Sequence, residues 1–195
     1  MLISSCTKPE PTEPDAVLPA HYQLKDIRYF LATSDRVDTT TLPLKRTSVQ
    51  NPSSTSTTQQ LTQDLSELIR TSQFTLDPAI QLPKELDLSQ FEVHVPQERY
   101  GNGSNSLVQS IETYPFSSSR QQKPYAPSGG AISTIVIPPR SKIDIIRQID
   151  AYRLTCSFEG LLENTTNGQR YPLRGKWAGI FQYNNLGVTL EQSSL

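Results

Sequence analysis

Long apolar runs are missing from this sequence, and no stretch of about 18 residues is hydrophobic enough to cross a bilayer as a helix. An excess of charge of one sign is missing too. With 18 basic and 19 acidic side chains the formal charge is -1, so no long-range field draws the chain to nucleic acid. Nor is there a basic block to dock on anionic lipid. Cysteine and histidine are scarce: Cys6, Cys156, His21 and His94 stand too far apart in the chain for a zinc site of the usual kind or a Cys-His pair. A glycine-rich phosphate loop and a nucleophile elbow are both absent, and Glu159 and Glu163 lack the arrangement of a glycosidase pair. No catalytic residue, cofactor or metal is therefore expected, and an enzyme is the least supported class. Hydrophobic residues make up only 35%, against 15 prolines and many Ser, Thr, Gln and Asn. That mix suits an elongated polar β-protein or a partly disordered one better than an enzyme with a deep apolar pocket.

What is present begins at the N-terminus. Ile3-Ser4-Ser5-Cys6 resembles the lipobox at which bacterial lipoprotein precursors are cut before the cysteine is acylated. Only Met1 and Leu2 stand before it, so the apolar core of a signal peptide is not part of this sequence. Thr7 to Asp15 has proline every few residues with charges between, an extended spacer that does not pack. Residues 1–20 are expected to be lipidation site and tether, with Cys6 carrying the lipid and membrane lipid as partner. Cys156, in a strand-like run, is expected to be a buried free thiol.

Residues 21–47 form a small N-terminal segment, strand or short helix, and residues 48–195 the main domain. Residues 48–60 are either a linker or the Thr-rich start of an exposed strand, since Thr and Ser compete with helical backbone bonding. Leu61 to Leu76 is read as strand throughout, despite the helical spacing of Leu61, Leu65, Leu68 and Ile69. Leu86, Leu88, Phe91, Val93 and Val95 alternate with polar residues, with a phase slip at Ser89-Gln90 of the kind a β-bulge makes. Gly101-Asn102-Gly103 signals a turn, after which Leu107, Ile111 and Tyr114 return toward Pro115, so residues 86–114 read as a hairpin. Residues 142–158 alternate as one long strand, Asn164–Gly168 is a turn, and Gly175–Phe181 and Gly187–Glu191 supply two closing strands.

The order of these features resembles the aerolysin-like epsilon-toxin/mosquitocidal-toxin (ETX/MTX2) family of β-pore-forming toxins. Asn51-Pro52 to Phe74 resembles its first Thr-rich strand, and Ile135-Val136-Ile137-Pro138-Pro139-Arg140-Ser141-Lys142-Ile143 its turn into the long strand. Gly175-Lys176-Trp177-Ala178-Gly179-Ile180 with Tyr183-Asn184-Asn185 resembles its closing segment. The likeness implies an all-β, elongated bundle of long twisted antiparallel strands, sandwich-like at the C-terminal end. It also implies a homo-oligomer whose subunits each contribute an amphipathic hairpin to a transmembrane barrel. The candidate insertion residues are Leu86, Leu88, Phe91, Val93, Val95, Leu107 and Ile111. Pro96, Pro115, Glu92, Glu98 and Arg99 depart from the long unbroken hairpin usual in the family.

Two functions follow. One is a membrane-inserting, toxin-like protein, either secreted or held in the bacterial cell envelope as a lipoprotein. The other is a lipid-anchored cell-surface binding or structural module that never inserts. Trp177 and Tyr183 are candidates for a surface aromatic contact, against the commoner fate of such residues as core. Arg147, Arg153, Arg170 and Arg174 are either a patch for an acidic partner or a solvated strand face.

Overall fold

The computed structural model describes residues 21–97, 107–125 and 132–195, and of residues 108–111 the backbone alone. The expected lipidation site at Cys6, the expected tether and the expected Gly101-Asn102-Gly103 turn lie outside the described residues. Ten strands are described: β1 (Tyr22–Phe30), β2 (Arg36–Asn51), β3 (Thr57–Thr62), β4 (Ile69–Leu76), β5 (Glu92–Gln97), β6 (Val108–Pro115), β7 (Gln121–Pro124), β8 (Ile132–Ile137), β9 (Ser141–Asn164) and β10 (Arg170–Ser194). Every described pairing is antiparallel.

β9, 24 residues long, is the spine. One edge pairs with β10 from Ser141↔Ser194 to Glu163↔Arg170. The other edge is shared by β2, opposite residues 141–155, and β1, opposite residues 157–164. β4 lies beyond β10, pairing at Gly175–Ala178, and β7 lies beyond β4. β3–β8 and β5–β6 are separate two-stranded ladders.

The two ladders cover opposite faces of the spine, and β9 records this in its own sequence. In a strand, successive side chains point to opposite faces. Ile143, Ile145, Arg147, Ile149 and Ala151 are buried in the lower half, then Leu154, Cys156, Phe158 and Leu162 in the upper half. The parity changes at Tyr152-Arg153, beside the irregularity at Ile180/Gln182 where Phe181 is an extra residue on β10. Below it, Ile143 and Ile145 pack with Ile137 of β8, giving two layers. Above it, the even-numbered residues pack under β5–β6. Further irregularities in the ladders at Lys25/Arg28 and Asn184/Gly187 contain Asp26 and Asn185, both with positive φ, a region Asp and Asn enter more readily than most residues.

The all-β expectation holds, with several boundaries moved. The long strand runs from Ser141 to Asn164, and the two expected closing strands are one, β10, because bulges absorb the phase slips without ending the pairing. The turn at Asn164–Gly168 is as expected, with Gly168 at φ 74°. Residues 61–76 are not one strand. Between β3 and β4 the Asp64 carboxylate accepts the Ser66 N–H at 3.0 Å and its hydroxyl at 2.6 Å, and this turn produces the helix-like leucine spacing. The boundary drawn at 47/48 falls inside β2, which pairs with β9 as far as Asn51↔Ser141.

Candidate functional site

The β5–β6 hairpin is the feature best placed to act. Its ladder, from Glu92↔Pro115 to Gln97↔Val108, is with itself alone. Val93 and Val95 point inward while Glu92 and His94 point to solvent, and buried Pro96 ends the alternation. The inward face, with Tyr114 and the following Phe116, is buried against Phe74, Phe158, Leu173, Trp177 and Phe181. Phe116 stacks on Phe74 at 4.3 Å between ring centroids and meets Phe158 edge-on at 5.4 Å, geometries that add to simple burial.

The first arm is shorter than the sequence implies. Leu86 and Leu88 are not in a strand: the slip at Ser89-Gln90 is a one-turn 3-10 helix, Leu88–Gln90, and no bulge. The Asp87 carboxylate accepts the Ser89 N–H at 2.9 Å and its hydroxyl at 2.7 Å, and the Phe91 N–H closes the turn on the Leu88 carbonyl. A capping Asp two residues before a Ser favours such a turn over extended chain. Leu86, Leu88, Phe91 and Leu107 are half-buried against the same cluster. Ile111 lies in β6, where only the backbone is described.

Polar contacts fasten the hairpin mainly by its return arm. Arg70 Nη1 of β4 lies 3.2 Å from Glu112 Oε1 of β6, and Lys123 Nζ of β7 donates to the Thr113 carbonyl. Lys123 also sits 4.8 Å from the Tyr114 ring centroid, and Arg70 5.2 Å from that of Tyr125. On the first arm, the Tyr29 hydroxyl donates to the His94 carbonyl at 2.9 Å. Tyr114 Oη and Arg70 Nε are buried with no hydrogen-bond partner among the described residues, and burial pushes the Tyr114 phenol up to about 12. Sequence reasoning places Tyr114 on the return arm and Phe74 at the end of the Thr-rich strand but misses Arg70, Glu112 and the contacts among these residues; the Tyr114-Pro115-Phe116 aromatic pair was the available signal.

Trp177 and Tyr183 form no surface platform. Trp177 is fully buried, its indole N–H donating to the Ser72 hydroxyl at 2.9 Å, and Tyr183 is buried with its hydroxyl on the Ile69 carbonyl at 2.6 Å. Both sit at inward positions of β10. The four arginines share no patch either: Arg147 is buried, Arg153 exposed, Arg170 paired with Glu163 and Arg174 with Asp77. Cys156 is a buried free thiol whose pKa burial raises to about 12. Among the described residues no cluster of His, Cys, Asp and Glu is arranged to hold a metal.

A long paired spine, a two-layer lower end and a self-paired hairpin on the upper face define an all-β protein built of long antiparallel strands. No family model matches the sequence, and no curated protein matches it. Among solved structures, the lamprey immune protein aligns at 15% identity and TM-score 0.52, over 88% of this chain and 53% of that one. Parasporin-2, a Bacillus thuringiensis toxin that recognizes cancer cells, aligns at 10% identity and TM-score 0.47, over 90% and 76%. An aerolysin-like protein of Bombina maxima aligns at 10% identity and TM-score 0.37, over 90% and 99%. The chain spans about half the length of the lamprey structure, and the likeness is one of fold.

Proposed function

We propose that this protein acts on membranes by releasing the β5–β6 hairpin from its body and contributing it to an oligomeric transmembrane barrel. The observation that supports this reading is the hairpin's self-contained backbone pairing beneath an apolar face. Its departure breaks no strand ladder of the body, and its inward side chains exchange protein for lipid with little change in polarity. Val93 and Val95, with Phe91 once extended, would face lipid, and Glu92 and His94 the lumen. Lipid tolerates no open strand edge, so barrels close. One hairpin gives two strands and the smallest barrels have about eight, which requires about four or more copies. Cys6 carries the lipid, at the cell envelope or after secretion.

The second reading, an anchored surface module that never inserts, is favoured by the Arg70–Glu112 and Lys123–Thr113 contacts that clamp the return arm. Dye release from liposomes separates the two. In a chain carrying Cys6→Ser, Arg70→Cys and Glu112→Cys, a short thiol crosslinker ties β6 to β4, while Cys156, buried with its thiol pKa raised, stays unmodified. The pore reading expects leakage and a large membrane-bound oligomer from the unlinked protein, and silence from the linked one. Equal leakage from both, or none from either, sinks hairpin insertion.

A further inference from the structure

Arg147 breaks a row of aliphatic side chains. It sits on β9 between Ile145 and Ile149, inward-facing and only 7% exposed. Nη2 donates to the Lys45 carbonyl at 3.1 Å and Nη1 to the Asp64 carbonyl at 3.4 Å, while Nε is buried with no acceptor among the described residues. Among the described residues no carboxylate stands within ion-pair distance of this guanidinium. A buried cation without a paired anion is costly, and an anion that completes the fork is correspondingly favoured.

Arg147 also lines a cleft of about 200 Å³ between the lower sheet and the β3–β8 ladder, walled by Val49, Leu61, Ile145 and Val188. That exceeds the ~150 Å³ apolar cavity that accepts a benzene ring. Asp64 lines it as well, but its carboxylate is occupied by Ser66, and it sits in the field of both Arg147 and Lys45. Lys45 does not line the cleft, so Arg147 is the one cation among its described lining residues. Glu67, whose carboxylate accepts the Lys45 N–H at 2.7 Å, does not line the cleft.

We propose that this cleft binds a small carboxylate with an apolar body. The carboxylate accepts from an Nη–H of Arg147, and the body lies against Val49, Leu61, Ile145 and Val188. Val49, Leu61 and Ile145 belong to a different cluster from the one beneath the β5–β6 hairpin, so the site is independent of the membrane reading.

The test is titration of the whole chain with hexanoate and with its neutral analogue hexanamide, followed by backbone amide NMR shifts and calorimetry. The expected result is saturable hexanoate binding in the millimolar range, as suits so few ligand atoms. Its shifts should centre on Val49, Leu61, Ile145 and Val188, and hexanamide should bind at least about tenfold more weakly. Arg147→Met should cost hexanoate a similar loss. Should that variant fail to fold, Val188→Trp, at a half-exposed position on the rim, fills the cleft with Arg147 intact and should abolish binding. Equal binding of the two probes, no saturable binding of hexanoate, or unchanged affinity in folded Val188→Trp would each overturn the site.

Discussion

Gly175 and Gly179 flank Trp177 on β10, and their lack of a side chain sets how closely β4 approaches. A Cβ built at Gly179 would lie 2.1 Å from the Thr71 carbonyl oxygen and 2.6 Å from the Trp177 ring; one at Gly175 would lie 2.1 Å from the Thr75 carbonyl oxygen. Backbone oxygens in a paired strand cannot retreat as a side-chain tip can. Gly179→Ala is therefore expected to cost about 3 kcal/mol in urea unfolding, the scale of a severe overpacking. Gly187→Ala meets only the flexible Gln148 side chain, at 3.3 Å, and should stay within about 1 kcal/mol. Similar losses at both positions would mean that β10 answers to glycine's chain entropy and not to its closeness to β4. The glycine-aromatic segment was thus legible as a motif, while the reason for it, a neighbouring carbonyl at van der Waals contact, belongs to a strand about 100 residues away.

The hairpin is held unevenly, and its attachment can be measured separately from the spine's. β9 is hydrogen-bonded on both edges, whereas β5 and β6 pair only with each other. Local opening follows such differences in backbone pairing and buried contact. Glu112→Gln removes the charge that faces Arg70, an interaction worth up to about 1 kcal/mol in a partly exposed pair. Amide exchange in β5 and β6 should then quicken about fivefold, with β9 and the upper half of β10 unchanged. Uniform change across all four strands would show that the hairpin opens only with the whole protein.

For the molecule as a whole, the carboxylates set the acid limit. Asp64 and Asp87 are held below the usual carboxylate range first by hydrogen bonds from Ser66 and Ser89, Asp77 by the Ala79 N–H, Asp144 by Lys142, Asp150 by Thr41 and Glu163 by Lys25. At Asp35 burial acts upward, but hydrogen bonds from Lys176, the Ala32 N–H and Ser157 outweigh it and lower the pKa. A carboxylate with a folded-state pKa below its unfolded value stabilises the fold above the unfolded pKa. That contribution is lost as pH falls through the folded value. The thermal midpoint should be level from about pH 8 to 5 and decline below about pH 4. A midpoint indifferent to pH down to about 2 would show that these groups titrate alike in both states.

Alternation and turn chemistry are local properties, so the sequence by itself determined the all-β class, the long strand after Pro138-Pro139, the Asn164–Gly168 turn and the buried thiol at Cys156. It also carried the alternation of Val93 and Val95 in the first hairpin arm. What alternation cannot say is which face looks inward, because a strand read alone has two equivalent sides. Only the tertiary structure decided that β9 changes its buried face at Tyr152-Arg153, with β3–β8 covering one half and β5–β6 the other. The same packing took Trp177 and Tyr183 into the core and enclosed Arg147 in an aliphatic row. Burial depends on what lies across the sheet, and those partners come from strands distant in sequence.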